Sequence, residues 1–197
     1  MNLGVPRRTI PPAAVAIGTS AGGLEALSTI LPSLPPEFPL PILVVIHLSP
    51  HKDSLMAELL QAKCDLRVKE AEDKEPIVRG TVYFAPPDYH LLVEDDYRLS
   101  LSSEEAVNYS RPSVDVLFES AADAYGAGLI GVVLTGANQD GAAGLRKVQA
   151  EGGLALVQAP QSAYAPGMPE AALAACPSAR VLPLGEIAGF LQEVACS

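Results

Sequence analysis

The feature that most constrains this chain is a repeated pair of patterns. A short, almost wholly apolar run is stopped by a small or polar residue and is then followed by apolar residues at helical spacing. The runs "AAVAIG" (13–18), "PILVVIH" (41–47), "GLIGVVLTG" (128–136) and "LALVQ" (154–158) read as strands buried on both faces. Leu24, Leu27, Ile30 and Leu31 fall on one helical stripe after the first run. The segments 53–62, 113–126, 141–153 and 168–176 carry helical patterns of their own. Asp53 is placed to cap the second helix, and Pro169 sits in the first turn of "MPEAALAAC", where proline is tolerated. "LRVKEAED" reads as a short strand entering an acidic loop, and "ARVLPL" and "GEIAGFLQEVA" as a last strand and helix. Between the two βα stretches, "GTVYFAPP", "YHLLVE" and "YRLSLS" have the lengths and turn residues of antiparallel strands or a hairpin. The expected fold is α/β: a single doubly wound, mostly parallel sheet with helices on both faces and an antiparallel hairpin portion. Residues 1–12 read as an N-terminal tail or linker remnant, and 13–197 as one domain.

Composition narrows the function classes. The 197 residues are 49% hydrophobic and 18% charged, a balance that supports a packed core. A net charge of −10 points away from nucleic acid, whose binders carry a basic face. No apolar run approaches the roughly 20 residues of a membrane span, so the chain is not expected to be membrane-inserted. Arg7 and Arg8 are followed by Pro11 and Pro12 rather than by the apolar core of a signal peptide. Cys64, Cys176 and Cys196 form no C-x-x-C pair and no metal pattern, so reduced thiols in a cytoplasmic protein are expected.

In an open parallel sheet, ligands gather where strands end and helices begin. "VAIGTSAGGLEAL" puts Ser20 at that place, inside a G-x-S-x-G turn formed by Gly18, Thr19, Ser20, Ala21 and Gly22. Flanking glycines permit a cramped turn that presents a hydroxyl, and the following helix offers free N–H groups to an oxyanion. The turn alone leaves three readings open: a nucleophile, a helix-capping serine, or an anion-binding turn. The last lacks both the lysine of G-x-x-x-x-G-K-[ST] and the spacing of G-x-G-x-x-G.

A nucleophilic serine needs a base. His90 starts a hairpin strand, where a structural histidine is expected, and His51 lies in a loop or first helical turn. His47 closes "ILVVIH" and so shares the rim of Ser20 one βα unit later. The orienting carboxylate is sought on the same rim, and Asp140 follows the strand 128–136; it is also placed to cap the helix after it. Its rival, Asp115, is expected to cap the helix that holds it. The order Ser…His…Asp differs from the Ser…Asp…His of α/β-hydrolases with the same elbow. Triads are defined by geometry and role, so the order does not exclude one.

With these residues in place, the chain resembles the CheB-type protein-glutamate methylesterases of bacterial chemotaxis. The resemblance spans about residues 13–195, on "AIGTSAGGLEAL", "VVIHLSP", "VKEAEDKEPIVRGTVYFAPPDYHLLV", "RPSVDVLFESAA", "GVVLTGANQDGAAGL" and "APGMPEAAL". It implies cofactor-independent, metal-free hydrolysis of glutamate γ-methyl esters on methylated chemoreceptors or other signalling proteins, with glutamine deamidation in some members. The family's triad falls on Ser20, His47 and Asp140, with Ala21, Ala137, Arg111 and Met168 as oxyanion or cleft candidates. Two departures stand out: Ala21 replaces the threonine after the nucleophile, and Gly136-Ala137-Asn138-Gln139-Asp140-Gly141 replaces Gly-Met-Gly-x-Asp-Gly. A backbone N–H at Ala137 still serves an oxyanion. These departures sustain one alternative, a catalytically silent module that binds receptor or signalling-partner helices. Full-length members also carry a phosphoacceptor receiver domain, and residues 1–12 hold no acidic phosphoacceptor cluster. Either a stand-alone methylesterase domain or a part of a longer chain is expected.

Overall fold

A computed structural model of the protein describes residues 10–47 and 55–196. In chain order, β1 (Ala14–Thr19) leads into α1 (Gly23–Ile30), and β2 (Ile42–Ile46) is followed by α2 (Met56–Gln61). Next come β3 (Arg67–Glu70), β4 (Thr81–Phe84), β5 (His90–Val93) and β6 (Leu99–Ser102). The second half contains α3 (Val114–Tyr125), β7 (Leu129–Val133), α4 (Ala142–Ala150), β8 (Leu154–Gln158), α5 (Gly167–Ala175), β9 (Arg180–Leu182) and α6 (Leu184–Ala195). His51 and Asp53 lie outside the described residues, and α2 begins at Met56, after the expected cap.

Seven strands form one parallel sheet in the order β3-β4-β2-β1-β7-β8-β9. Each of β1, β2 and β7 is buried along its whole length, because both faces of the sheet are covered. Strand alternation divides their side chains between two cores. Val15, Ile17, Val44 and Val132 pack with α1, α2 and α6, while Ala16, Val45 and Val133 pack with α3, α4 and α5. Each fully buried Val, Leu, Ile or Phe contributes about 1.5–3 kcal/mol, so the two cores carry the fold. The antiparallel portion is confined to β5 and β6. "GTVYFAPP" does not join it: β4 pairs parallel with both β2 and β3, against the antiparallel expectation. Residues 71–80 return the chain to the start of the sheet without a helix, and the missing helix hid the parallel pairing.

The chain winds outward from β1 through β2, then returns to place β7 on the other side of β1. The carboxyl ends of β2, β1 and β7 therefore flank the point where strand order reverses, the crevice at which open α/β sheets hold ligands.

Candidate active site

Ser20 follows β1 on a turn held at both ends. Its N–H donates to Thr135 O at 2.9 Å, and its carbonyl accepts the Gly23 N–H at 2.9 Å. The two outer glycines of the turn do different work. A side-chain carbon on Gly18 would lie 2.1 Å from Val114 Cγ1, so glycine there lets α3 lie on β1. Gly22 adopts φ of 80°, left-handed backbone that other residues disfavour, and reverses the chain into α1. Ser20 makes no capping bond to α1, and its Oγ has no hydrogen bond among the described residues.

His47 extends β2 by one residue, and its N–H donates to Thr19 O at 3.1 Å. Ser20 and His47 thus follow paired residues of neighbouring strands, Thr19 and Ile46. Both line an open cleft of about 570 Å³, together with Leu24, Met56 and Lys63. The His47 side chain is 11% exposed and presents Nε2 to Asp140 Oδ2 at 2.8 Å. Asp140 thus engages Nε2, the reverse of the ring orientation in chymotrypsin-type proteases, where the carboxylate holds Nδ1.

Asp140 is fully buried, and its carboxylate is the most heavily bonded group of the site. Oδ2 also accepts the Val114 N–H at 2.7 Å. Oδ1 accepts from Ser113 Oγ at 2.8 Å, Asn108 Nδ2 at 3.0 Å, and the Asp115 and Gly141 N–H groups at 3.1 Å each. Burial pushes this carboxyl upward. The bonds from His47, Val114, Asn108 and Asp115 outweigh it and hold the group below the ordinary aspartate value. Asp140 is not the cap of α4: it closes the N-terminus of α3, where free N–H groups and the helix dipole favour an anion.

Asp115 reciprocates. Instead of capping its own helix, it accepts the Gly144 N–H of α4 at 2.7 Å through Oδ1. Burial pushes its carboxyl up despite that bond, and the neighbouring Asp140 charge adds to the rise. Asn108 ties the two acids together, with Nδ2 at 2.8 Å from Asp115 Oδ2 and 3.0 Å from Asp140 Oδ1. It occupies a tight reversal with Tyr109, both at positive φ (52° and 61°), between the bridged pair Val107 and Ser110. Asparagine tolerates that backbone better than most residues.

The remaining candidates take supporting places. The Ala21 and Ala137 N–H groups have no hydrogen bond among the described residues, and Ala21 O accepts from Thr135 Oγ1 at 2.8 Å. Met168 is buried, and its N–H donates to Gly136 O at 2.8 Å, bracing the loop that carries Asp140. Arg111 donates through Nη1 to the carbonyls of Ser103 and Glu104 at 2.9 and 3.0 Å, binding the segment after the hairpin. His90 is structural, as expected. Its Nδ1 accepts the Ser113 N–H at 3.1 Å and its Nε2 donates to Glu105 O at 3.0 Å, which fixes Ser113 beside Asp140. Cys64 and Cys176 are buried, and burial pushes both thiols up, away from nucleophilic reactivity. Sequence reasoning missed Asn108, Ser113 and Asn138, the last with Nδ2 3.2 Å from His47 Nδ1. Only Asn138, two residues before a candidate acid, carried a visible signal.

Residues 15–191 match the family described as CheB methylesterase. The chain belongs to the CheB methylesterase family. A relative in Leptospira interrogans is 51% identical over 175 residues, which cover 89% of this chain and 91% of that protein. The protein-glutamate methylesterase/protein-glutamine glutaminase of Archaeoglobus fulgidus is 39% identical over 177 residues, 88% of this chain. That match spans 51% of the archaeal protein, so the chain corresponds to about half of such longer CheB relatives. The crystal structure of the Thermotoga maritima CheB methylesterase catalytic domain superposes with a TM-score of 0.88 at 36% identity. It covers 93% of this chain and 99% of that domain, so the sheet order and both helical layers are those of a CheB catalytic domain. Among the described residues, no helix is long and apolar enough to cross a membrane.

Proposed function

We propose that the chain is a serine-type carboxylic ester hydrolase that removes methyl groups from glutamate γ-methyl esters of chemoreceptor-like signalling proteins in the cytoplasm. Glutamine deamidation would use the same acyl-enzyme. The observation that carries this reading is the His47–Asp140 pair, 2.8 Å apart, whose histidine lines the same cleft as Ser20.

In the proposed mechanism, Ser20 Oγ attacks the γ-carbonyl carbon while His47 Nδ1 takes the hydroxyl proton. Asp140 holds the opposite ring nitrogen and stabilises the imidazolium. The tetrahedral oxyanion faces the backbone N–H groups of Ala21 and Ala137. His47 returns its proton to the leaving oxygen, and methanol departs with ammonia as its counterpart in deamidation. Water, deprotonated by the same nitrogen, then cleaves the γ-glutamyl ester of Ser20 to release glutamate.

Ser20→Ala is expected to lower methanol release from a methylated receptor fragment by at least about a thousandfold, since loss of a serine nucleophile disables the whole triad. The variant should keep the wild-type melting temperature. Release at the wild-type rate from a folded Ser20→Ala protein would refute the assignment.

A further inference from the structure

We propose that Asn138 is a latch on the general base: in the resting protein it occupies the lone pair of His47 that Ser20 must reach. The proposal rests on the esterase reading above and adds to it a residue that sets how readily the nucleophile is activated.

The orientation of the Asn138 amide follows from its other contact. Its Oδ1 lies 3.1 Å from the Asp140 backbone nitrogen, which can only donate. The oxygen end is thereby fixed, and the NH2 end faces the imidazole, with Nδ2 3.2 Å from Nδ1. An NH2 group also only donates, so Nδ1 is the unprotonated nitrogen and the ring proton resides on Nε2. Nε2 in turn lies 2.8 Å from Asp140 Oδ2, an acceptor. The three contacts therefore agree on one tautomer, whose Nδ1 is ready to accept a proton.

That same nitrogen has a single in-plane lone pair, and Asn138 holds it. Ser20 Oγ has no hydrogen bond among the described residues, although it shares the cleft with His47. A base in contact with an amide and a nucleophile without a partner are two aspects of one resting arrangement. Activation then requires an exchange in which the Asn138 amide leaves Nδ1 and the Ser20 hydroxyl takes its place. Asn138 is half-buried, between the exposed Ala137 and Gln139, so solvent is on hand to take over the amide when it leaves Nδ1. The glycine expected at this position from the family pattern has no side chain to form such a contact.

The test compares the intact wild-type chain with Asn138→Gly and Asn138→Ala. The rate constant for labelling of Ser20 by a fluorophosphonate is measured alongside the imidazole 15N resonances of His47. Removing one competing hydrogen bond is expected to speed labelling roughly two- to tenfold in both variants. The Nδ1 resonance should move toward that of a free lone pair while Nε2 remains that of an N–H donor. A purely structural role for Asn138 would leave the rate unchanged or lower it. Equal or slower labelling in both variants, with Ser20 still labelled, overturns the latch and leaves the esterase reading standing. No labelling in any of the three chains overturns the esterase reading instead. The contact is then judged on the ring alone, and an Nδ1 resonance unmoved by Asn138→Ala overturns it.

Discussion

Replacing Asp140 by asparagine changes one oxygen to NH2 and tests whether this carboxylate joins catalysis to the fold. All six groups directed at Asp140 are donors in the structure: His47 Nε2 and the Val114 N–H on Oδ2, and Ser113 Oγ, Asn108 Nδ2 and the Asp115 and Gly141 N–H groups on Oδ1. An amide cannot satisfy both sets. With NH2 at the Oδ2 position, the Val114 N–H loses its acceptor, and the His47 ring must move its proton to Nδ1, which removes the base. With NH2 at the Oδ1 position, the Asp115 and Gly141 N–H groups are left without acceptors. Each buried donor left unpaired costs about 1–3 kcal/mol. Loss of the anion at the α3 N-terminus adds up to about 1–2 kcal/mol. The sum is a destabilisation of about 2–5 kcal/mol, which lowers the melting temperature of a domain this size by roughly 5–15 °C. Circular dichroism melting at neutral pH measures this directly, and methanol release measures activity on the same samples. A variant that melts within about 2 °C of wild type would refute the reasoning, because the carboxylate would then not be the acceptor for the start of α3.

Acid should narrow the difference between those two proteins. The folded-state value of Asp140 is depressed, so its contribution is fully present above the unfolded aspartate value of about 3.9 and is lost as pH falls through the folded value. Melting curves from pH 7 downward should show the wild-type advantage over Asp140→Asn shrinking only below about pH 4, and a constant difference would contradict the shift. Asp115, raised by burial, has the opposite sign: it favours the folded state in acid and loses that contribution as pH rises through its folded value. Gly18→Ala should destabilise by about 1–3 kcal/mol through overpacking, because the new carbon meets Val114 Cγ1 at 2.1 Å. Adding Val114→Ala should recover part of the loss in urea denaturation, and two strictly additive losses would show that the clash is not with Val114.

Much of the fold was legible because buried parallel strands record their burial as continuous apolar runs, and β1, β2, β7 and β8 each do so. β4 was misassigned because strand direction depends on the connection, and residues 71–80 carry no helical pattern to announce a crossover. The rim positions of Ser20, His47 and Asp140 were legible for the same reason as the strands, since each residue closes or follows an apolar run. What holds Asp140 was not. Local capping rules, by which Asp140 caps the helix after it and Asp115 the helix that holds it, gave the right residue type at both acids and the wrong helix for both. Asp140, just before α4, binds the first N–H groups of α3, and Asp115, in the first turn of α3, binds the Gly144 N–H of α4. Each helix start is thus closed by an acid from the other helix, across 26 and 29 residues of sequence. Either carboxylate reaches the helix-start N–H groups of the other helix only after α3 and α4 have packed, a contact made by Gly144 lying against Phe118 and Asp115. The orientation of His47 is inherited from that packing through Asp140 Oδ2. The candidate residues are therefore legible at three strand ends, whereas their geometry depends on a helix pair that no local pattern specifies.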